Sequence, residues 1–310
     1  MPNSVISFPE FLMDLANPQL DFLARAVAIS VIAAITCAVV GCYVVLRGMA
    51  FIGDAVSHAV FPGLTIAFAL QVSVLLGGAV AGAVVAILIA LFSQRQNVRE
   101  DSVIGIFFAA SFAVGMVIIS RTEGYTASLS SFLFGSLTGV SSTDVWLALA
   151  VSVLVLATIV VIGPQLNVTC LDRETARAMN IPVLLMDIVL YLAVTAAVVI
   201  SVGTVGNILV LALLIAPPAT ARLITANLTT MMVLSATFGA LGSFFGLYIA
   251  WAFDLPAGAS IVLLLSVWFL VVWALMPSIR TLQTSRAARV SKQPASQLKQ
   301  LGNTASQPAR

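Results

Sequence analysis

An all-α bundle of membrane-spanning helices is the fold this sequence predicts, and three observations carry that expectation. The 310 residues are 61% hydrophobic and only 8% charged, with a mean hydropathy of +1.12, whereas an ordinary soluble domain has about 25% charged residues. The apolar residues fall into blocks of about 20, the length a helix needs to cross a hydrocarbon core ~30 Å thick. Most basic residues fall in a few short stretches between those blocks or after the last of them. Inside lipid every backbone N–H and C=O must be satisfied within the chain, so blocks of this length form helices.

The N-terminal segment 1–21 carries Glu10, Asp14 and Asp21 and is expected on the extracytoplasmic side. The first long apolar block begins near Phe22, directly after Asp21, and is too long for the h-region of a signal peptide, so it reads as a retained span. Further blocks give spans at about 48–70, 72–92, 102–120, 144–163, 183–203, 205–224, 230–252 and 257–277, after the first at 22–46. The transmembrane domain is thus 22–278. Residues 279–310 hold Arg280, Arg286, Arg289, Lys292, Lys299 and Arg310 among Ser, Gln, Pro and Ala, the composition of a disordered tail beside anionic lipid. Lys and Arg accumulate in cytoplasmic loops. Arg95 and Arg99, then Arg173 and Arg177, then the tail mark one side, and counting back makes the loop at Arg47 cytoplasmic as well. Nine spans with an outside N-terminus satisfy this pattern; eight spans plus a re-entrant segment around 205–224 is the alternative.

Composition also removes some functions. The two lysines, Lys292 and Lys299, lie outside any Gly-x4-Gly-Lys-Ser/Thr context, so a P-loop is absent and ATP-driven work needs another polypeptide. Cys37, Cys42 and Cys170 form no Cys-x2-Cys pair and read as packing residues. Lipid is an expected partner and nucleic acid is not.

Within the second block Asp54 and His58, the chain's one histidine, stand four residues apart. On a helix they project from nearly the same face, about 6 Å apart at Cβ. A charge at the centre of a span costs about 2.5 to 3.5 kcal/mol, so such a pair faces the protein interior and usually has a task. Carboxylate plus imidazole suits a borderline divalent ion such as zinc, manganese or iron(II). Two donors do not make a four-coordinate structural zinc site; water or a facing helix must complete the set, as suits an ion in passage. The competing reading is a polar couple that holds helices together. A helix beginning near Gly48 places His58 about 15 Å along its axis, near the midplane, where transport sites lie because both sides must reach them in turn. Gly53, Ala55, Ser57 and Ala59 allow a neighbouring helix to approach, and Pro62 frees a carbonyl one turn on.

The stretch from Cys170 to Pro182 reads as a short polar helix between two spans. Asp172 is an N-cap, Glu174 suits the first turn, Asn180 suits a left-handed C-terminal position and Pro182 stops the helix. In the block at 205–224, Pro217-Pro218 interrupts the apolar run, either to line a pathway or, with slightly more weight, to end the span.

Four stretches in order, Gly48 to Gly63, Asp172 to Pro182, Val205 to Pro217 and Asp254 to Ala259, resemble the membrane permease subunit of ABC importers for manganese, zinc or iron. The resemblance covers about residues 20–278, and its Gly-Asp-Ala-x-Ser-His-Ala element, Gly53 to Ala59, is specific. It implies a type II-like ABC importer permease in the bacterial plasma (inner) membrane: a transport subunit rather than an enzyme. Two copies would pair, with a cytoplasmic ATP-binding subunit and an extracytoplasmic metal-binding protein. It assigns Asp54 and His58 to the metal in transit, with Zn, Mn or Fe as cargo and no permanently bound cofactor. It also gives the 172–181 helix, through Asp172, Glu174, Ala176 and Asn180, the coupling to the ATPase. This chain departs from the family pattern in having Leu171 where Phe is usual and Asn180 where Gly is usual; asparagine tolerates the same backbone region. A secondary transporter driven by an ion gradient is the chief rival. An intramembrane metallohydrolase is disfavoured, because one histidine and no His-Glu-x-x-His element leave too few ligands.

Overall fold

The computed structural model describes residues 6–49, 51–94, 98–120 and 139–276. Arg95, most of the loop before Val98 and the whole basic tail 279–310 lie outside them, as does the start of the N-terminal segment. Among the described residues no strand occurs. The helices are α1 (Phe8–Leu15), α2 (Asp21–Arg47), α3 (Ile52–Ala69), α4 (Val74–Phe92) and α5 (Glu100–Ile119), followed by α6 (Ser142–Leu171), α7 (Arg173–Ala178), α8 (Val183–Val205), α9 (Asn207–Ile224), α10 (Leu228–Phe253) and α11 (Ala257–Met276). Each of the nine expected spans is present as a helix in its expected order. Seven of them, α2, α4, α5, α6, α8, α10 and α11, have the length and apolarity of a membrane crossing. The other two, α3 and α9, have 18 residues each, about 27 Å at 1.5 Å per residue.

Burial sorts these helices into a centre and a periphery. Two thirds of the apolar window is buried in α2 and α8, 67% each, against 17–33% in the other five crossing helices. The centre of the bundle is therefore α2 and α8 together with α3, whose described residues are mostly buried, and the outer helices turn large apolar side chains such as Val160, Val161 and Leu263 outward, the arrangement that lipid rewards. Packing between spans has no hydrophobic drive of its own, so close contact and interhelical hydrogen bonds carry it, the latter at about 0.6 kcal/mol each. Thr36 of α2 donates to Ser152 of α6 at 2.8 Å, and Ser235 of α10 donates to the Ala38 carbonyl of α2 at 3.0 Å. Cys37 and Cys42 are buried and free and Cys170 is half-buried and free, in line with packing roles.

The N-terminal segment is more structured than its acidity suggests. Ser7 and Glu10 begin α1, with the Ser7 N–H donating to Glu10 at 2.7 Å, and the helix lies against the C-terminal half of α10. Phe8 and Phe11 each meet Phe244 and Tyr248 with centroids 5.3–6.5 Å apart. The Trp251 indole donates to Asp14 at 2.9 Å.

Three sequence expectations shift. α3 starts at Ile52, not near Gly48, because Gly48 takes a left-handed conformation (φ 71°) that caps α2, and Met49 then folds into the core, 1% exposed. His58 thus lies six residues into its helix, about 9 Å along the axis rather than 15 Å. The apolar run at 205–224 does not end at Pro217-Pro218: α9 continues through both prolines to Ile224. The polar helix is six residues long, Arg173–Ala178, with Asp172 outside it as N-cap.

Candidate functional site

Helix α3 carries the Asp54/His58 pair against α4 and α5, with α8 and α9 also in contact. Gly53, one residue before Asp54, lies under Leu211 and Leu214 of α9. The Asp54 Oδ1 to His58 Nε2 distance is 3.5 Å, too long for a well-formed hydrogen bond. Both side chains keep part of their surface open, 31% for Asp54 and 19% for His58. The imidazole is held from the side by α5, where Phe108 and Phe112 meet it edge-on with centroids at 4.9 and 5.1 Å. Among the described residues neither Asp54 nor His58 hydrogen-bonds another helix, so the polar-glue reading lacks the bond it requires. The pair is loosely joined, laterally fixed and partly accessible, which leaves carboxylate and imidazole lone pairs for a ligand.

What the pair lacks is a third strong donor. Among the described residues no three His, Cys, Asp or Glu side chains come together. A cation held here would take one oxygen ligand and one nitrogen ligand from Asp54 and His58 and complete its shell with water or carbonyl oxygens. Such a shell suits manganese better than zinc, which prefers several nitrogen or sulfur donors.

The polar helix α7 lies at the end of the bundle where α2 and α4 finish and α5 and α8 begin. Asp172 accepts from the Glu174 N–H at 2.9 Å and from the Thr175 hydroxyl, and these bonds, the Thr175 hydroxyl first, hold its carboxyl below the ordinary carboxylate range. Asn180 adopts the left-handed conformation, φ 56°, as its type allows. Of the four residues assigned to coupling, Asp172, Glu174 and Asn180 are exposed while Ala176 is fully buried. Ala176 therefore seats the helix, and the exposed face consists of its neighbours.

Sequence reasoning missed a set of buried and half-buried charges at the start of α7. Arg173, the first residue of α7, lies 2.8 Å from Glu100 and 3.1 Å from Asp187. The same two carboxylates hold Arg47, at 3.3 Å from Glu100 and 2.7 Å from Asp187. The Arg47 side chain is 3% exposed and that of Asp187 is 0% exposed. Gln94 donates to Asp187 at 2.8 Å, and Arg173 reaches the Ser93 carbonyl at 3.4 Å. The signal was present in Asp187, an acid inside an apolar block, but its partners are scattered over 140 residues of sequence. The contacts also bring Arg47, Ser93, Gln94, Glu100 and Arg173 together at one end of the bundle, in line with the sidedness expected from Arg47 and Arg173.

Known proteins give this arrangement a context. The profile described as the ABC 3 transport family matches residues 19–276. The manganese transport system membrane protein MntC of Halalkalibacterium halodurans is 39% identical over 257 residues, covering 83% of this chain and 88% of that protein. The manganese import system permease protein ScaB of Streptococcus gordonii is 35% identical over 88% of this chain and 98% of its own. The chelated iron transport system membrane protein YfeD of Yersinia pestis is 32% identical over 81% and 84%. Among solved structures, PsaBC from Streptococcus pneumoniae in complex with Fab superposes with a TM-score of 0.78 at 34% identity, over 90% of this chain and all of that one.

Proposed function

This chain belongs to the ABC 3 transport family and is a multi-pass permease of the bacterial inner membrane; from that premise we propose that it carries manganese(II) inward through Asp54 and His58, driven by ATP hydrolysis in a separate cytoplasmic subunit. The observation that carries the reading is the pair itself: an acid and the chain's one histidine on one face of a span, 3.5 Å apart and with no bond to another helix among the described residues. Two copies of the permease rock together, and an extracytoplasmic metal-binding protein delivers the ion. Asp54 and His58 hold it within the span of α3, and helix α7, through the exposed Asp172, Glu174 and Asn180, receives the motion of the ATPase. Weak, partly hydrated coordination favours release, since passage demands binding that is favourable yet easily reversed.

Manganese is preferred to zinc and iron(II) because the site offers one imidazole and otherwise oxygen, and because MntC and ScaB are named for manganese. A secondary transporter is not favoured, since the family to which the chain belongs is described as an ABC transport family. The test is uptake of radioactive manganese by the reconstituted complex, with zinc and iron(II) as competitors. Uptake that needs ATP, stops with vanadate and is displaced most effectively by unlabelled manganese supports the proposal. Uptake driven by an ion gradient without ATP contradicts it, and stronger displacement by zinc overturns the choice of metal.

A further inference from the structure

The four charges at Arg47, Glu100, Arg173 and Asp187, the first and last buried and the other two half-buried, are not part of the Asp54/His58 site. They join four helices at one point. Arg47 is the last residue of α2, Glu100 the first of α5, Arg173 the first of α7, and Asp187 lies in the first turns of α8. Each guanidinium touches both carboxylates, at 2.7 to 3.3 Å, so the charges cancel in a closed cycle.

Stability alone does not account for the cycle. Removing ions from water costs several kcal/mol each, and well-packed apolar residues of similar volume are often as stable or more so. Its satisfaction is also incomplete, since Arg47 Nη1 is buried without a hydrogen-bond partner. What the cycle supplies is a directed connection. From Glu100 it continues to Tyr191, whose hydroxyl donates to that carboxylate and lies 3.5 Å from the Met49 sulfur; the Arg47 guanidinium lies over the same ring at 5.8 Å. Met49 is buried, and its carbonyl accepts from the N–H of Ile52, the first residue of α3, at 3.1 Å. Two residues further on is Asp54.

We propose that Arg47, Glu100, Arg173 and Asp187 form a latch that ties displacement of α7 to the start of α3, making Arg173 and Tyr191 positioning residues for the ion site. This rests on the transport reading above. When α7 is pushed, Arg173 either draws Glu100 and Asp187 with it or releases them, and in either case Arg47, Tyr191 and the Met49 turn ahead of Asp54 change their support. Arg173 is the more exposed guanidinium, at 26% against 3% for Arg47, and is carried on α7 itself, so it is the member that opens.

The test is the number of manganese(II) ions imported per ATP hydrolysed by the complete complex in proteoliposomes, with unaltered binding protein supplied on the extracytoplasmic side and insertion matched by quantitation. In R173Q the ratio is expected to fall about five-fold or more while hydrolysis continues, and R173K, which keeps the charge, recovers most of it. Y191F removes one hydroxyl at nearly constant volume and lowers the ratio in the same direction; it decides the matter if R173Q does not assemble. A wild-type ratio in R173Q, or in Y191F when R173Q is lost, overturns the latch, as does an equal loss of hydrolysis and import in an assembled R173Q complex. A wild-type complex that imports no manganese strikes the transport reading instead.

Discussion

The Leu214 carbonyl of α9 lies so close to Gly41 of α2 that a Cβ added at Gly41 would sit 2.0 Å from the oxygen. Leu214 is four residues before Pro218, so it is a carbonyl that lacks its helical N–H donor. The paired prolines are thereby absorbed inside α9: the freed oxygen turns toward the neighbouring backbone, a close approach of the kind that Cα–H donors accommodate. Only glycine leaves room for it.

Replacing Gly41 by alanine should therefore separate α2 from α9. Overpacking of a tight contact costs about 1 to 3 kcal/mol. In thermal unfolding of the purified protein, G41A should melt several degrees below wild type, and G41V lower still. An unchanged midpoint for G41A would show that the contact is looser than described.

The cap on α7 gives a pH prediction. Hydrogen bonds from Thr175 and Glu174 lower the Asp172 pKa below its ordinary 3.8. A depressed folded value means the stabilisation is present above the unfolded pKa and disappears as pH falls through the folded one, so the cap should be intact from pH 7 down to about pH 5. Co-purification of the ATP-binding subunit should be constant over that interval. D172A should reduce it and D172N should not, since asparagine caps as well as aspartate; equal loss in both variants would point to a charge contact instead.

Phe108 and Phe112 set the position of the His58 ring without offering a ligand. Edge-on aromatic contacts are worth about 0.5 to 1.5 kcal/mol. F112A should accordingly raise the manganese concentration for half-maximal uptake about two- to ten-fold with little change in maximal rate. A fall in maximal rate at unchanged half-saturation would assign the ring to gating.

Much of this was legible in the sequence because membrane spans are governed by length and hydropathy, which are local. Among the described residues the nine expected spans all appear as helices where their apolar blocks lie, and Asp172 and Asn180 act as their types dictate. Boundaries set by tertiary contacts were not legible. Nothing in the composition around Gly48 says that Met49 folds inward before α3 begins, and Pro217-Pro218 reads as a pathway break or a stop until Gly41 is seen to leave room for the freed carbonyl. Asp54 and His58 were found because both lie within one helical turn. Arg47, Glu100, Arg173 and Asp187 were missed as a set because Asp187 alone stands out, as an acid inside an apolar block, and only the packing of α2, α5, α7 and α8 makes them a unit.

The central claim is that Asp54 and His58 hold the ion in transit, and uptake of radioactive manganese by the reconstituted complex carrying D54A or H58A tests it most directly. With insertion and ATPase co-purification matched to wild type, each variant should lose uptake by about 10- to 100-fold or more, on the scale that loss of metal-site partners produces. Uptake at the native rate in either variant would contradict the assignment.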